Sequence, residues 1–400
     1  MRLVSLQSGT SADGIDAAVV NARSTGSHVE LEPVRFTTFP WPEALRRRIL
    51  AASTDAATTV AEVAQLHALL GREFGAAAVA AAAGSRVDLV VSHGQTVYHW
   101  VENGTAGGTL QLGEPAWIAE AAQAPVLANV RSADIAAGGQ GAPLMGLFDS
   151  LWLGPFARTT GRPIGTVNLG GIANVSVIGA DGSSRAWDTG PANSLLDAVV
   201  ARGSAGTRTC DAGGALAFAG TVDTGLLDRL LQHPYFSLPA PKSTGRETFS
   251  LHWVETVLQE TGADPSLPDL AATLTELTAQ SLARSLAAGC GADPPEELVA
   301  SGGGVRNPAL THALSRHLAR VRVRPTDSRE RGVDPMAKES LLFALIGFLS
   351  WHGVPAALPP ITGSRGARVL GQFVPGPRPL RLPAPLPAVT ALTVTGPVTL

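Results

Sequence analysis

Residues 7–20 read QSGTSADGIDAAVV, and this stretch decides what kind of fold the chain can have. A β-like run, Arg2–Leu6, leads in and another, Ile15–Val20, leads out. Between them lie Gly9, Thr10, Ser11, Ala12 and the pair Asp13-Gly14. Asp-Gly between two such runs is a hairpin signal. The loop has the glycine and hydroxyl content of a phosphate loop, yet it ends in a strand and carries no lysine. A Walker A loop needs a strand before it and a helix after it, and a dinucleotide fingerprint needs a complete G-x-G-x-x-G. The chain offers neither. PKSTGRE at 241–247 lacks preceding glycines, and AGGQGAP at 137–143 and SGGGVRN at 301–307 are incomplete.

Further along, Ile164–Leu169 and Ile172–Ile178 form a second hairpin around Gly170-Gly171, so the fold repeats a motif. A nucleotide triphosphate gripped between two related domains suits such a pair. Glycines let backbone N–H groups approach phosphate oxygens, and Thr10 and Ser11 add donors without bulk. An ordinary tight turn explains either loop alone; two loops and a glycine turn at Gly302, Gly303 and Gly304 favour the nucleotide. The rest reads as alternating α/β: helices at 43–52, 60–83, 270–288 and from 334 to 353, and strands at 87–91, 124–128, 184–187 and 298–300. A helix from Pro308 is capped by Asn307. Polar segments just past strand ends, SHGQT and NVRSADI, are candidates for one cleft.

Composition narrows the function. A chain of 400 residues with 45% apolar content supplies two ordinary cores. Its net charge of −3 gives no basic footprint for nucleic acid or an anionic membrane. Cys210 and Cys290 lie far apart without a Cys/His cluster, which argues against structural zinc or a disulfide framework. No signal peptide or apolar run of membrane-spanning length is present, so a cytoplasmic location and a small-molecule partner are expected.

Seven stretches occur in the order expected of the anhydro-N-acetylmuramic acid kinase family, within the sugar-kinase/actin superfamily. They are GTSADGID, SHGQTVYH, DIAAGGQGAPL, NLGGIANV, DTGPAN, PKSTGRE and SGGGVRNPAL, and they span about residues 7–371. The resemblance implies two actin-like (ribonuclease-H-like) α/β domains, each on a mixed five-stranded sheet, around a central nucleotide and sugar cleft. The expected division is 1–125 with 356–374, then 126–355, with a Pro-rich tail at 375–400 outside the core. The implied reaction takes ATP, water and 1,6-anhydro-N-acetylmuramic acid to ADP and N-acetylmuramic acid 6-phosphate, a step in recycling cell-wall sugars. Alternatives are a kinase for another amino sugar and a catalytically silent binding protein of the same fold.

Residue by residue, the resemblance makes Asp188 the catalytic base for water attack on the anomeric carbon, half of an inverting glycosidase. A turn or helix-capping Asp is the plain alternative. Gly9, Thr10, Ser11, Ala12, Asp13, Gly14, Ile15 and Asp16 fall to ATP, as do Gly170, Gly171, Gly302, Gly303, Gly304 and Asn307. Gln95, Thr96, Arg131, Asp134 and Glu339 fall to the sugar. Arg131 suits the lactyl carboxylate as a bidentate donor, or else a domain-bridging ion pair. Glu339 equally suits a helix N-terminus. Asp13 is the candidate for Mg²⁺, through water. His93 reads as a hydrogen-bonded core histidine, not an acid or base. The chain departs from the family pattern at Ala12, Asn129-Val130, Ala192 and Ser340. Ala192 restricts φ where glycine is usual. The family implies a homodimer.

Overall fold

The apolar runs flanking each glycine turn become paired strands. The computed structural model describes residues 1–9, 12–53, 58–102, 105–240, 242–245, 248–291, 293–319, 321–326, 332–356 and 359–396. The chain divides into two α/β units, Met1–Trp152 with Ala337–Leu400 and Leu153–Met336.

The first unit holds β1 (Arg2–Ser8), β2 (Gly14–Thr25), β3 (His28–Pro40), β4 (Leu89–Glu102), β5 (Thr105–Leu112) and β6 (Val126–Ala128). The second holds β7 (Ile164–Leu169), β8 (Ile172–Ile178), β9 (Ser184–Pro191), β10 (Glu297–Ser301) and β11 (Arg322–Pro325). The last strands, β12 (Gln372–Val374) and β13 (Ala391–Val394), return to the first unit.

Both sheets share one plan. In the first, β6-β4-β1 are parallel and β1-β2-β3 antiparallel; in the second, β11-β10-β7 are parallel and β7-β8-β9 antiparallel. The repeat read from two glycine turns is thus a repeat of a whole mixed sheet. Among the described residues the second sheet has the expected five strands, but the first has eight. Its extra strands are β5, β12 and β13. SHGQT does not lie past a strand end, because β4 continues through it to pair with β5.

Burial follows the pattern. Leu3, Val4 and Leu6 of β1 are fully buried, as a central strand covered on both faces requires. The helix Val60–Ala82, capped by Thr59 accepting from the Glu62 N–H, contributes Leu66, Leu70 and Phe74 to one core cluster with β1 and β2. The helix Lys338–Trp351 is buried nearly all round and packs on β1, β2 and β4. In the second unit, the helix Leu267–Cys290 covers the sheet with Leu282 and Leu286. There the Trp187 indole N–H donates to Ser285 Oγ at 2.8 Å.

The boundaries near 125 and 355 move to 152/153 and 336/337. β6 pairs in parallel with β4, and the helix Lys338–Trp351 packs on β1, so both segments belong to the first unit. The tail is also partly reassigned: Ala391–Val394 pairs in parallel with β3. Ala192 adopts φ −133° with ψ −119° at the N-cap of the helix Asn193–Gly203. Asn129, at φ 54°, occupies a left-handed position that asparagine tolerates better than most residues.

Candidate active site

The first hairpin is held by side chains. The Ala12 N–H donates to the Gly9 carbonyl at 2.9 Å, closing the loop, and Ala12 sits buried at φ 50°. Arg46 donates from Nε to the Ala12 carbonyl at 3.0 Å and from Nη2 to the exposed Asp13 at 3.3 Å. Thr10 and Ser11 lie outside the described residues. Gly14 makes room for protein, not ligand: a Cβ there would meet the Phe39 carbonyl oxygen at 2.7 Å. Ile15 is a core residue.

β1 and β2 place Gln7 directly opposite Asp16. The buried Gln7 side chain lies against both Asp16 and Glu339 and favours their ionised forms. Burial outweighs it and raises both carboxyls above the ordinary range; for Glu339, Arg131 opposes the rise and Asp16 adds to it. Water nevertheless reaches Glu339, whose residue is exposed in the first turn of the helix Lys338–Trp351.

Two of the expected sugar contacts turn inward. Gln95 is fully buried and donates from Nε2 to the Gly9 carbonyl at 3.1 Å, so it secures the hairpin loop. Asp134 is also fully buried, accepting from the Gly141 N–H at 2.7 Å and the Thr362 hydroxyl at 2.5 Å. Both of its oxygens hold the chain's own loops. Thr96 and Arg131 remain partly accessible. Arg131 donates from Nε to His93 Nε2 at 2.9 Å and from Nη1 to the Gly141 carbonyl at 2.7 Å.

The second hairpin is held by a helix N-terminus. The Ala192 and Ser194 N–H groups donate to the Gly171 carbonyl and the Asn193 N–H to that of Gly170, at 3.0–3.2 Å. Asn193 Nδ2 also donates to the Leu169 carbonyl at 2.9 Å. Gly302, at φ 84°, must be glycine: a Cβ would meet Asn168 Oδ1 at 2.4 Å. Gly304 is close-packed too: a Cβ there would meet Leu169 Cβ at 2.7 Å. Gly170 and Gly303 differ. A Cβ on either meets nothing nearer than 3.7 Å, and neither has positive φ, so the protein itself does not demand glycine there. Asn307 is spent as a cap, its Oδ1 accepting from the Ala309 and Leu310 N–H groups at 3.0 and 3.2 Å.

Asp188 lies on β9 opposite Asn174, next to Thr189, the extra residue where the β8–β9 register shifts, the kind of irregularity that re-aims a side chain. One carboxylate oxygen accepts from the Thr244 N–H at 2.9 Å. Burial pushes its pKa up to about 6, against the pull of that bond, while the residue remains half-buried. Its backbone is clamped as well: the Asp188 N–H donates to the Lys242 carbonyl at 2.9 Å, and its carbonyl accepts from Tyr235 Oη at 2.8 Å. Lys242 lies over the Tyr235 ring at 4.6 Å and donates to its carbonyl at 3.0 Å. Tyr235, Lys242 and Thr244 were not foreseen as site residues. PKSTGRE was a signal for two of them without showing what they touch.

The anhydro-N-acetylmuramic acid kinase family model matches residues 1–376. The chain belongs to this family. Anhydro-N-acetylmuramic acid kinases from Streptomyces coelicolor and Streptomyces avermitilis are 45% and 47% identical over 389 and 386 residues. These matches cover 96% of this chain, and 96% and 97% of those chains. The kinase from Rhodococcus erythropolis is 44% identical, covering 95% of this chain and 96% of its own. Membership makes the chain a sugar kinase, a phosphotransferase that uses ATP. No described helix is long and apolar enough to cross a membrane.

Proposed function

We propose that the chain opens the 1,6-anhydro ring of 1,6-anhydro-N-acetylmuramic acid and phosphorylates O6, with Asp188 as the base. The observation that carries this reading is the state of Asp188: a water-accessible carboxyl raised to about 6, fixed by the Thr244 N–H. A base of that pKa is mostly ionised at neutral pH and still basic enough to take a proton. Water loses a proton to Asp188 as its oxygen bonds to C1. The C1–O6 bond breaks, O6 bonds to the γ-phosphorus, and the bond from phosphorus to ADP breaks. The phosphoryl group thereby traps the leaving oxygen, which needs no separate proton donor.

Arg131 takes the lactyl carboxylate, and Thr96 and Glu339 take sugar hydroxyls. Gly170 and Gly303, open where a Cβ would stand, leave room for phosphate oxygens to approach the backbone. Asp13 fits a metal held through water, since its side chain is 72% exposed and its contact with Arg46 at 3.3 Å is long. Mg²⁺ bound with ATP supplies neutralising charge at the phosphate oxygens. A cytoplasmic homodimer acting in cell-wall sugar recycling completes the reading, supported by the family.

The test is ADP release by the purified chain with Mg-ATP and either 1,6-anhydro-N-acetylmuramic acid or N-acetylmuramic acid. Release with the anhydro sugar alone is expected. Equal release with N-acetylmuramic acid would make the chain an ordinary amino-sugar kinase, and no release with either would make it a binding protein.

A further inference from the structure

Arg131 carries its charge on an unusual mount. Both hydrogen bonds that fix its guanidinium among the described residues go to neutral acceptors, His93 Nε2 at 2.9 Å and the Gly141 carbonyl at 2.7 Å. His93 Nδ1 lies 3.0 Å from the Gly94 carbonyl oxygen. A carbonyl only accepts, so Nδ1 carries the proton and Nε2 turns its lone pair to Arg131. The Phe343 ring lies 4.7 Å from the imidazole at 33°, and His93 is 6% exposed, so the ring has little freedom to turn. Burial, and then the charge of Arg131, hold the imidazole pKa down to about 3, which keeps this tautomer neutral throughout the physiological range.

The consequence for Arg131 is geometric. With Nε–H on His93 and one Nη1 hydrogen on Gly141, the remaining Nη1 and Nη2 hydrogens form the end-on pair that matches two carboxylate oxygens. Glu339 already acts on the Arg131 charge, and a carboxylate in place of His93 would add a second opposing charge that competes with a bound anion; a neutral acceptor orients the guanidinium without adding one.

We propose that His93 is a positioning residue for the substrate's anionic group, acting through Arg131. This rests on the reading that Arg131 binds that group. A cavity of about 240 Å³ lined in part by His93, Ser92, Gln111 and Asn129 opens beside the ring, so a substituted side chain has room.

The experiment measures KM for 1,6-anhydro-N-acetylmuramic acid, KM for ATP and kcat in single and double variants. Loss of a charge-assisted pair in Arg131→Gln raises the sugar KM by about 100-fold, with KM for ATP unchanged. His93→Phe removes the acceptor and raises it by about 10-fold. His93→Gln, whose amide oxygen can stand where Nε2 does, returns it to within about 3-fold of the parent, and the shorter His93→Asn does not. Adding His93→Phe to Arg131→Gln costs nothing further, as expected when one residue acts only through the other. An unchanged sugar KM in Arg131→Gln sinks the reading of Arg131 itself. If Arg131→Gln behaves as expected but His93→Phe adds its full effect on top, the positioning role is overturned. Should His93→Phe not fold, equal sugar KM values for the Gln and Asn variants overturn it instead.

Discussion

The two hairpins share a topology and differ in what holds them. The first, between β1 and β2, is a loop fixed by side chains from elsewhere in its unit: Gln95 on the Gly9 carbonyl, Arg46 on the Ala12 carbonyl. The second, between β7 and β8, is a two-glycine turn whose carbonyls receive the first N–H groups of the helix Asn193–Gly203. The first takes its outside support from side chains, the second from helix N–H groups together with the side chains of Asn193 and Ser194. The neighbourhoods differ too. The first unit gathers an anchored cation and two carboxyls raised by burial; the second presents one accessible carboxyl raised to about 6. The two units thus repeat a sheet plan but not the ionisable groups set around it.

The sharpest way to break this contrast is Asp188→Asn. Loss of the base lowers kcat by about 10³-fold while KM for ATP is unchanged. Because the folded state favours protonated Asp188, its ionisation opposes folding as pH rises from the ordinary carboxylate range through about 6. The Asn variant therefore melts at or above the parent's Tm at pH 8; a lower Tm would make Asp188 a structural cap. In the parent, kcat/KM falls as pH drops below about 6, where the base becomes protonated.

Next in size is the glycine pair of the second unit. Gly302→Ala, with its Cβ 2.4 Å from Asn168 Oδ1 at φ 84°, costs about 2 kcal/mol of stability, read as a fall in Tm. Gly170→Ala leaves Tm unchanged, since its Cβ meets nothing nearer than 3.7 Å, yet raises KM for ATP by about 10-fold. A stable Gly170→Ala with an unchanged KM would show that no phosphate approaches that turn. Smaller again is Gln95→Leu in the first hairpin, expected to raise KM for ATP by about 5-fold through the lost bond to Gly9. Arg46→Ala, on the partly exposed pair with Asp13, is the smallest, within about 1 kcal/mol in stability.

The fold was legible where local chemistry sets it. Turn glycines between β-like runs marked both hairpins, and the helix Glu43–Ala52 and the strands β7 and β8 begin and end where their patterns do. The division of the chain was not, because it depends on β6 pairing with β4 and on the helix Lys338–Trp351 covering β1, which no local pattern reports. The helix Met145–Thr160 also escaped, with Pro155 inside it. Within the candidate site, the family resemblance singled out Asp188 and Arg131, which keep partial access to water, while the contacts of the other residues depend on side-chain direction. Gln95, Asp134 and Asn307 each serve backbone groups of the chain, at Gly9, Gly141 and Ala309, and a buried backbone group left unpaired costs about 1–3 kcal/mol. The Tyr235 clamp on Asp188 joins residues far apart in sequence, and no local spacing encodes it.

The most direct test of coupled ring opening and phosphorylation follows the oxygen of water. The purified chain is given Mg-ATP and 1,6-anhydro-N-acetylmuramic acid in ¹⁸O-water, and the sugar phosphate is fragmented by mass spectrometry as soon as it forms. One ¹⁸O at C1, with none in the phosphate, is the predicted result. Label in the phosphate group, or a product without label at C1, would contradict attack by a water that Asp188 activates.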